Sequence, residues 1–474
     1  MATLNKQTSS DKRSGPLGSQ KNYNEIIELL DSSWSYAAST EKTIATMKAL
    51  DQALDFPSKK LDAILVSGTN GKGLTIHFAT KLLQEEKISF GAFYSPHILS
   101  YNEHFVLNNE TISNKTFTEL ANEVINIAQS NEIAVTSYDI ITMMAILYFA
   151  QNNVEVALLE MREDSPFDAT AICHPQVIAV TRITEEQLTQ KNDLSASVIN
   201  NLLQLVKSDT HVISGDQSKL NLQLMAEAVK KNNGTWAMPI RKLAALKYPF
   251  EQLHGRCAAI AERICQIYVD KFAKDATILA NSLLAKQKGQ RGRPTLEAKR
   301  ESELNPKKTL EQFWKEEASS LPARFQILDK EKPSILLDNA SNVDAFTNLL
   351  LGIRLLHYQR PLKGLTFIFG CDAQQMNTEE FLRLLRYFSK KNSGQIIFCP
   401  IEENVPGINE TSWNVEQITN DVKSLKIKAK SAKSFEEAFE IAKKSVDERH
   451  GLVVISGSKT IITQYWKLKG IKKI

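Results

Sequence analysis

The sequence predicts an α/β protein built from two units, each organised around a mainly parallel, doubly wound sheet. Three observations predict it. Short apolar runs with β-branched residues alternate with longer helical patterns from about residue 60 onward. One of these runs, Ala63 to Ser67, feeds directly into a glycine-rich turn and then a helix pattern. The alternation is interrupted over residues 286–320, where charge dominates and apolar residues are few, and it resumes afterwards. A chain of 474 residues has room for two to three domains.

Taken in order, residues 1–20 are polar, rich in Ser, Lys and Gln, and read as a disordered tail without the apolar core of a signal peptide. Helices are expected over 23–30, where Ile26, Ile27 and Leu30 share a side, and over 43–54. Asp55-Phe56-Pro57 closes the second, because proline disfavours helix at the residue before it. After the glycine-rich turn come a helix over 76–86 and a strand over 88–94, then a short β-region or loop over 102–111. Helices follow over 114–130 and 138–150, with strands over 154–159, 176–180 and 212–215. Helices over 221–231 and 255–284 complete a first unit spanning 21–285. Residues 286–320 read as an exposed linker or insertion. Its basic start, Lys286 to Arg293, could touch RNA or an acidic partner, but a solvated linker is the favoured reading. The second unit, 321–474, has strands expected over 335–338, 365–370, 395–399 and 452–457, with helices over 345–356, 379–388 and 434–445. No internal repeat is evident.

The stretch with the sharpest chemistry is Gly68-Thr69-Asn70-Gly71-Lys72-Gly73. Glycines let backbone N–H groups converge on an anion, and the following helix N-terminus adds a favourable dipole. Lys72 supplies a point charge for the outer phosphates. The strict phosphate-loop pattern wants Gly at Val66 and Ser or Thr at Gly73. Without that hydroxyl, a Mg²⁺ ion has to find its ligands elsewhere in the chain. Two further places stand at strand ends, where ligands of open α/β sheets bind. Ser95-Pro96-His97 follows one strand, although a turn-forming Ser-Pro explains it as well. Glu160 follows another and could coordinate Mg²⁺, although a lone carboxylate there is more often a solvated strand end.

Composition sets the outer bounds. A hydrophobic content of 42% and a charged content of 24% belong to an ordinary globular protein. A net charge of +4 tolerates anionic ligands without marking a nucleic-acid binder. No apolar stretch approaches bilayer length, so no membrane span is expected. The five cysteines (Cys173, Cys257, Cys265, Cys371, Cys399) are odd in number and lack metal-type pairing, which fits reduced thiols in the cytoplasm.

With these residues in view, the sequence resembles the folylpolyglutamate synthase and dihydrofolate synthase branch of the Mur ligase family. The pieces that carry the resemblance lie in family order: the loop 68–73, Ser95-Pro96-His97 with Asn102-Glu103, Leu159-Glu160 before Asp168-Ala169-Thr170, Leu321-Pro322-Ala323-Arg324-Phe325, Leu337-Asp338-Asn339-Ala340-Ser341-Asn342, and Val454-Ile455-Ser456-Gly457-Ser458. The resemblance runs from about Tyr23 to the C-terminus. It implies a central ATPase-type domain with a C-terminal Rossmann-like α/β domain. It also implies an ATP-dependent amide ligase in which a folate or dihydropteroate carboxylate attacks the γ-phosphate and L-glutamate, or another amino acid, displaces phosphate from the acyl phosphate. By position, Gly68, Thr69, Asn70, Gly71, Lys72 and Gly73 would hold ATP, and Ser95 and Glu160 would bind Mg²⁺. Arg324 and Asp338 would reach the nucleotide from the linker and the second unit, and Lys72 and Glu160 would serve the chemistry. A cytoplasmic monomer with small-molecule partners is implied.

The departures fall in the chemistry. The family's Gly-rich segment after the Glu is Arg162-Glu163-Asp164-Ser165-Pro166-Phe167 here, and its metal-binding Asp-His pair aligns with Glu186-Gln187. Leu202 stands where the family has a carbamylated lysine, Ser341 where it has a His, Cys257 where it has an adenine-side Asn, and Gly370-Cys371-Asp372-Ala373 lacks its Lys-Asp pattern. Three functions are consistent with this pattern: a divergent folylpolyglutamate or dihydrofolate synthase, a nucleotide-binding relative that no longer ligates, and a ligase for a different acid.

Overall fold

A computed structural model describes residues 20–34, 38–162, 164–184, 194–240, 242–273, 282–284, 309–317, 321–392, 394–402 and 410–473. Its centre is an eight-stranded sheet. In chain order its strands are β1 (Asp62–Ser67), β2 (Phe90–Phe93), β3 (Phe105–Leu107), β4 (Glu110–Thr111), β5 (Val156–Glu160), β6 (Pro175–Val180), β7 (His211–Ser214) and β8 (Thr235–Trp236). They lie in the order β4-β3-β2-β5-β1-β6-β7-β8. Every pairing from β2 to β8 is parallel, and β3 and β4 close one edge as antiparallel strands. The continuous apolar runs fit this arrangement, because strands of a parallel sheet are covered on both faces. Helices Tyr23–Ser32, Glu41–Ala53, Asn114–Ser130 and Ser137–Gln151 cover one face, and Lys72–Glu85 and Phe250–Lys271 the other.

The second sheet contains β9 (Gln326–Leu328), β10 (Ser334–Asp338), β11 (Leu365–Phe369), β12 (Gln395–Phe398), β13 (Lys428–Ser431) and β14 (Leu452–Ser456), in the order β13-β12-β11-β14-β10-β9. Only β9 runs antiparallel to its neighbour in this sheet. Two separate cores flank it. The two-unit α/β architecture is therefore the one the sequence predicts.

Three expectations change. The helix expected over 255–284 is Phe250–Lys271; further on, the backbone N–H of Leu283 donates to Glu86 at 2.9 Å and Leu284 is buried in the core. The exposed linker expected over 286–320 is not exposed throughout. Helix Leu310–Glu316 buries Phe313 and Trp314 against the first unit. Trp314 stacks edge-on to Phe78 at 5.5 Å and donates its indole N–H to Glu262 at 3.3 Å. Two aromatic side chains outweigh the local charge, since each buries a large apolar area. The tail over 1–19 and residues 285–308 lie outside the described residues. Trp314→Ala is accordingly expected to destabilise the protein by about 3–5 kcal/mol, read as a lower urea midpoint with an unchanged slope. Finally, β9, β13 and the helices Val415–Ser424 and Lys459–Leu468 were not anticipated. Lys-Ala-Lys-Ser in β13 is a polar edge strand, which carries no apolar period to read.

Candidate active site

The carboxyl ends of β1, β2, β5 and β6 all face the second unit, and they carry Gly68, Ser95, Glu160 and Arg182 at or just beyond the last strand residue. Helix Lys72–Glu85 begins inside the glycine-rich loop, with Gly71 at its N-cap in the left-handed region at φ 91°. The Lys72 ammonium donates to the Gly68 carbonyl at 2.7 Å, which holds it over the loop. Thr69 is anchored from the neighbouring strand end, its N–H donating to the Arg182 carbonyl at 2.6 Å.

Gly73 explains the departure from the strict loop pattern. A Cβ there would stand 3.2 Å from a Glu160 carboxylate oxygen, so a residue with a hydroxyl would press on Glu160. The space a side chain would fill is given to the carboxylate. Glu160 is 7% exposed, and its recorded hydrogen bond is a long one from the Ser95 backbone N–H at 3.3 Å. Burial raises its pKa, while Lys72, the Ser95 N–H and Arg324 pull it back. A buried carboxylate with spare lone pairs beside a serine hydroxyl suits a small hard cation, which takes one or two protein oxygens and fills its shell with water and phosphate. Among the described residues no group of three or more His, Cys, Asp or Glu side chains forms an all-protein metal cage. The donor set thus fits Mg²⁺ shared with a phosphate ligand.

The second unit closes the cleft. Asn70 and Asn342 exchange hydrogen bonds at 3.1 and 2.9 Å, and Asn70 also donates to Asp344 at 3.0 Å. Arg182 pairs with Asp344 at 2.5 Å. Asn342 also caps helix Val343–Gln359, so that helix presents its N-terminus to the loop. Asp338, at the end of β10, accepts the Phe325 N–H at 2.7 Å. Burial raises its pKa to about 6, against the lowering effects of that N–H and of Arg324.

This raised value has a consequence for stability. Between about pH 4 and pH 6 the folded protein holds a proton on Asp338 that the unfolded chain has released, so stability falls as pH rises through that window. Asp338→Asn should flatten that slope and leave the variant more stable than wild type at pH 7, by on the order of 1–3 kcal/mol. Thermal midpoints measured across the window check it.

A cleft of about 540 Å³ collects most of the expected residues: Thr69, Asn70, Gly71, Lys72, Gly73, Ser95, Glu160, Arg324 and Asp338 line it. Gly68 lies behind the lining, its N–H donating to Asp164 at 2.7 Å. Cys257 and Ser341 also line the cleft. His97 does not. It turns away to His104, 3.0 Å distant, and burial holds its pKa well below the usual histidine value. Leu202 is fully buried in the core of the first unit and does not line the cleft. Glu186 and Gln187 lie outside the described residues. Sequence reasoning missed Arg182, Asp344 and Asp164. Asp164 lies in the acidic segment already noted as a departure, whereas Arg182 and Asp344 carry no motif and meet only through the fold.

No protein-family model matches the chain. The chain is 27% identical over 224 residues to the dihydrofolate synthase/folylpolyglutamate synthase of Bacillus subtilis, covering 46% of this chain and 49% of that protein. It thus spans about half the length of that relative. It is 24% identical over 352 residues to the folylpolyglutamate synthase of Lacticaseibacillus casei, covering 71% of this chain and 77% of that one. In structure it is similar to the bifunctional folylpolyglutamate synthase/dihydrofolate synthase of Yersinia pestis complexed with AMPPNP and Mn ion, with a TM-score of 0.70 at 18% identity over 95% of this chain and 98% of that one. By sequence the chain is similar to folylpolyglutamate and dihydrofolate synthases, and its fold is that of their solved structures.

Proposed function

We propose that the protein is an ATP-dependent acid–amino-acid ligase that adds glutamate to a folate or dihydropteroate carboxylate through an acyl phosphate. The observation that carries the reading is the convergence of a phosphate loop, a buried carboxylate with an adjacent serine, and groups from the second unit on one cleft. Phosphoryl transfer needs little else from a protein than positioning and charge stabilisation.

In this reading Asn70, Gly71 and Gly73 hold the phosphates through backbone and amide N–H groups, and Lys72 places its charge on the outer phosphate. Ser95 and Glu160 hold Mg²⁺. When bound there, the ion neutralises the phosphate oxygens and polarises the γ-phosphorus. Arg324 receives the acid's carboxylate beside that phosphorus. The carboxylate oxygen attacks, ADP leaves, and the amine of the second substrate then expels phosphate as the amide forms. Asn342, Asp344 and Arg182 hold the two units together during these steps, so that water stays outside the cleft.

We assign helix Leu310–Glu316 to the ATP-binding unit, since it packs on that unit's core, and residues from 321 to the second. Among the described residues no helix is long and apolar enough to cross a membrane, and all five cysteines are unpaired. A cytoplasmic monomer acting on small molecules, without nucleic acid, fits these features.

The test is phosphate release from ATP in the presence of dihydropteroate or a reduced folate plus glutamate. The ligase reading expects release that requires the acid. If the protein binds ATP yet releases no phosphate with either acid, the folate-type ligase reading fails, and the non-ligating relative and a ligase for a different acid remain. Leu202→Lys is not a useful restoration, because it would place an unpaired ammonium in the core.

A further inference from the structure

The segment after β6 is tied to the phosphate loop on both sides of one charged residue. The Thr181 backbone N–H and hydroxyl both donate to the Ser67 carbonyl, at 2.9 and 3.0 Å. The Arg182 carbonyl accepts the Thr69 N–H at 2.6 Å, and the Thr184 N–H donates to the Thr69 hydroxyl at 3.0 Å. A Cβ on Gly68 would stand 2.9 Å from both the backbone N and the backbone O of Arg182, so loop and segment lie in contact. The Arg182 backbone is therefore fixed against the loop, and the residue lines the nucleotide cleft.

Its guanidinium is committed at one corner. Nη1 pairs with Asp344 of the second unit at 2.5 Å, and among the described residues Arg182 has no other ion-pair partner. Asp344 also accepts the Asn70 amide at 3.0 Å, so loop and strand end hold the same carboxylate. The Arg182 side chain is 36% exposed, and a half-exposed ion pair adds little stability by itself. A guanidinium offers five donors in a planar fork, so one edge can stay on Asp344 while the other takes a second anion. Arg256, a further cation lining the cleft, instead leans on the carbonyls of Gly215 and Ile240, each at 3.5 Å.

The sheet order decides which anion Arg182 meets. Across the centre of the sheet the strands run β2-β5-β1-β6-β7, and β1 feeds the phosphate loop. Ser95 and Glu160, the assigned metal ligands, stand beyond β2 and at the end of β5 on one side of the loop, and Arg182 stands beyond β6 on the other. A phosphate chain laid across the loop with its γ-phosphate at the metal has its inner phosphates toward Arg182.

We propose that Arg182 is a second cation of the nucleotide site, that it holds the phosphates ADP retains, and that Asp344 positions it from the second unit. The proposal rests on the nucleotide part of the ligase reading. Lys72 and Glu160 serve the phosphoryl group being transferred, whereas Arg182 binds substrate and product alike and so contributes to affinity rather than to rate. The same guanidinium links nucleotide to the second unit, since it bridges the phosphates and Asp344.

Calorimetric titration of the full chain with ADP and with a non-hydrolysable ATP analogue, beside steady-state phosphate release, tests it. Arg182→Ala should weaken both nucleotides about tenfold and raise the KM for ATP in parallel, while kcat at saturating ATP stays within about threefold. Arg182→Lys keeps the charge and loses the fork, and should recover part of the loss. Arg182→Ala also leaves Asp344 as a bare carboxylate beside the phosphates. Adding Asp344→Asn to it should therefore restore ADP affinity by about threefold or more, a gain that an inter-unit clasp alone would not give. That gain also shows the single variant to be folded. Unchanged affinity for both nucleotides in Arg182→Ala overturns the proposal and leaves the pair as a contact between units. A loss confined to the ATP analogue overturns it too, because the guanidinium would then stand at the γ-phosphate. Failure of Asp344→Asn to restore affinity overturns the charge account. A wild type that binds both nucleotides but releases no phosphate sinks the ligase reading, and the titrations still decide Arg182. A wild type that binds neither overturns the phosphate-loop assignment and this proposal with it.

Discussion

Replacing Lys72 with alanine is expected to weaken binding of a non-hydrolysable ATP analogue by about ten- to a hundredfold, or ~1.4–2.7 kcal/mol. Turnover should fall further, by roughly a hundredfold or more, because in the proposed reaction the same ammonium would meet charge that develops on the transferring phosphoryl group. The geometry argues for the size of the effect. Lys72 lies in the first turn of a helix whose N-cap is a left-handed glycine, and its Nζ is held at the Gly68 carbonyl, above the loop rather than out in solvent. The deletion removes a preplaced charge and leaves the fold alone, since the side chain lines the cleft and packs in no core. Lys72→Arg should recover little, because a planar guanidinium is wider than the ammonium it replaces. Calorimetric titration with the analogue separates the binding loss from the turnover loss.

Glu160→Gln is expected to cost turnover on the order of a hundredfold or more while leaving metal-free nucleotide affinity nearly unchanged. The substitution keeps shape and removes charge. Because burial already disfavours the ionised carboxylate, the folded protein should lose no stability, and its thermal midpoint without metal should hold or rise. With Mg²⁺ and ATP present, the wild type should gain more in thermal midpoint than the variant. A variant that keeps the full metal-dependent gain would mean that the ion is held elsewhere. Gly73→Ser makes a companion probe: the added Cβ falls 3.2 Å from the Glu160 carboxylate, so the hydroxyl the strict loop pattern wants should impair this site.

Both effects concern residues that the sequence exposes directly. The phosphate loop is legible because it combines local features: an apolar strand, glycines at fixed spacing and a lysine. Glu160 and Ser95 are legible because they stand at strand ends, and the family resemblance supplies the order that ties them together. Elements with a strong apolar period, such as helix Asn114–Ser130, also read cleanly. What the sequence hides is long-range pairing. Asn70 with Asn342 and Arg182 with Asp344 join positions far apart in the chain, and no local pattern marks either. Trp314 misleads for a related reason. It sits in a charged stretch whose composition suggests solvent, and its burial depends on Phe78 and Glu262 in the first unit. His97 misleads in the other direction, since its place after a strand suggests a ligand, yet it turns to His104 and Tyr101. Leu202 shows the limit of reading loss from a position: the side chain is packed core, so its effect on chemistry is not visible from its identity alone.

In the proposed reaction the cleft joins an acid to an amino acid by first phosphorylating the acid. Its most direct measurement uses dihydropteroate carrying heavy oxygen in its carboxylate, with ATP, Mg²⁺ and glutamate, and follows the label in the inorganic phosphate released. One labelled oxygen should pass to phosphate for each amide formed, because the acyl phosphate breaks at its carbonyl carbon when the amine attacks. Amide formation without transfer of the label would contradict the acyl-phosphate route, and phosphate released without label or amide would contradict the ligase itself.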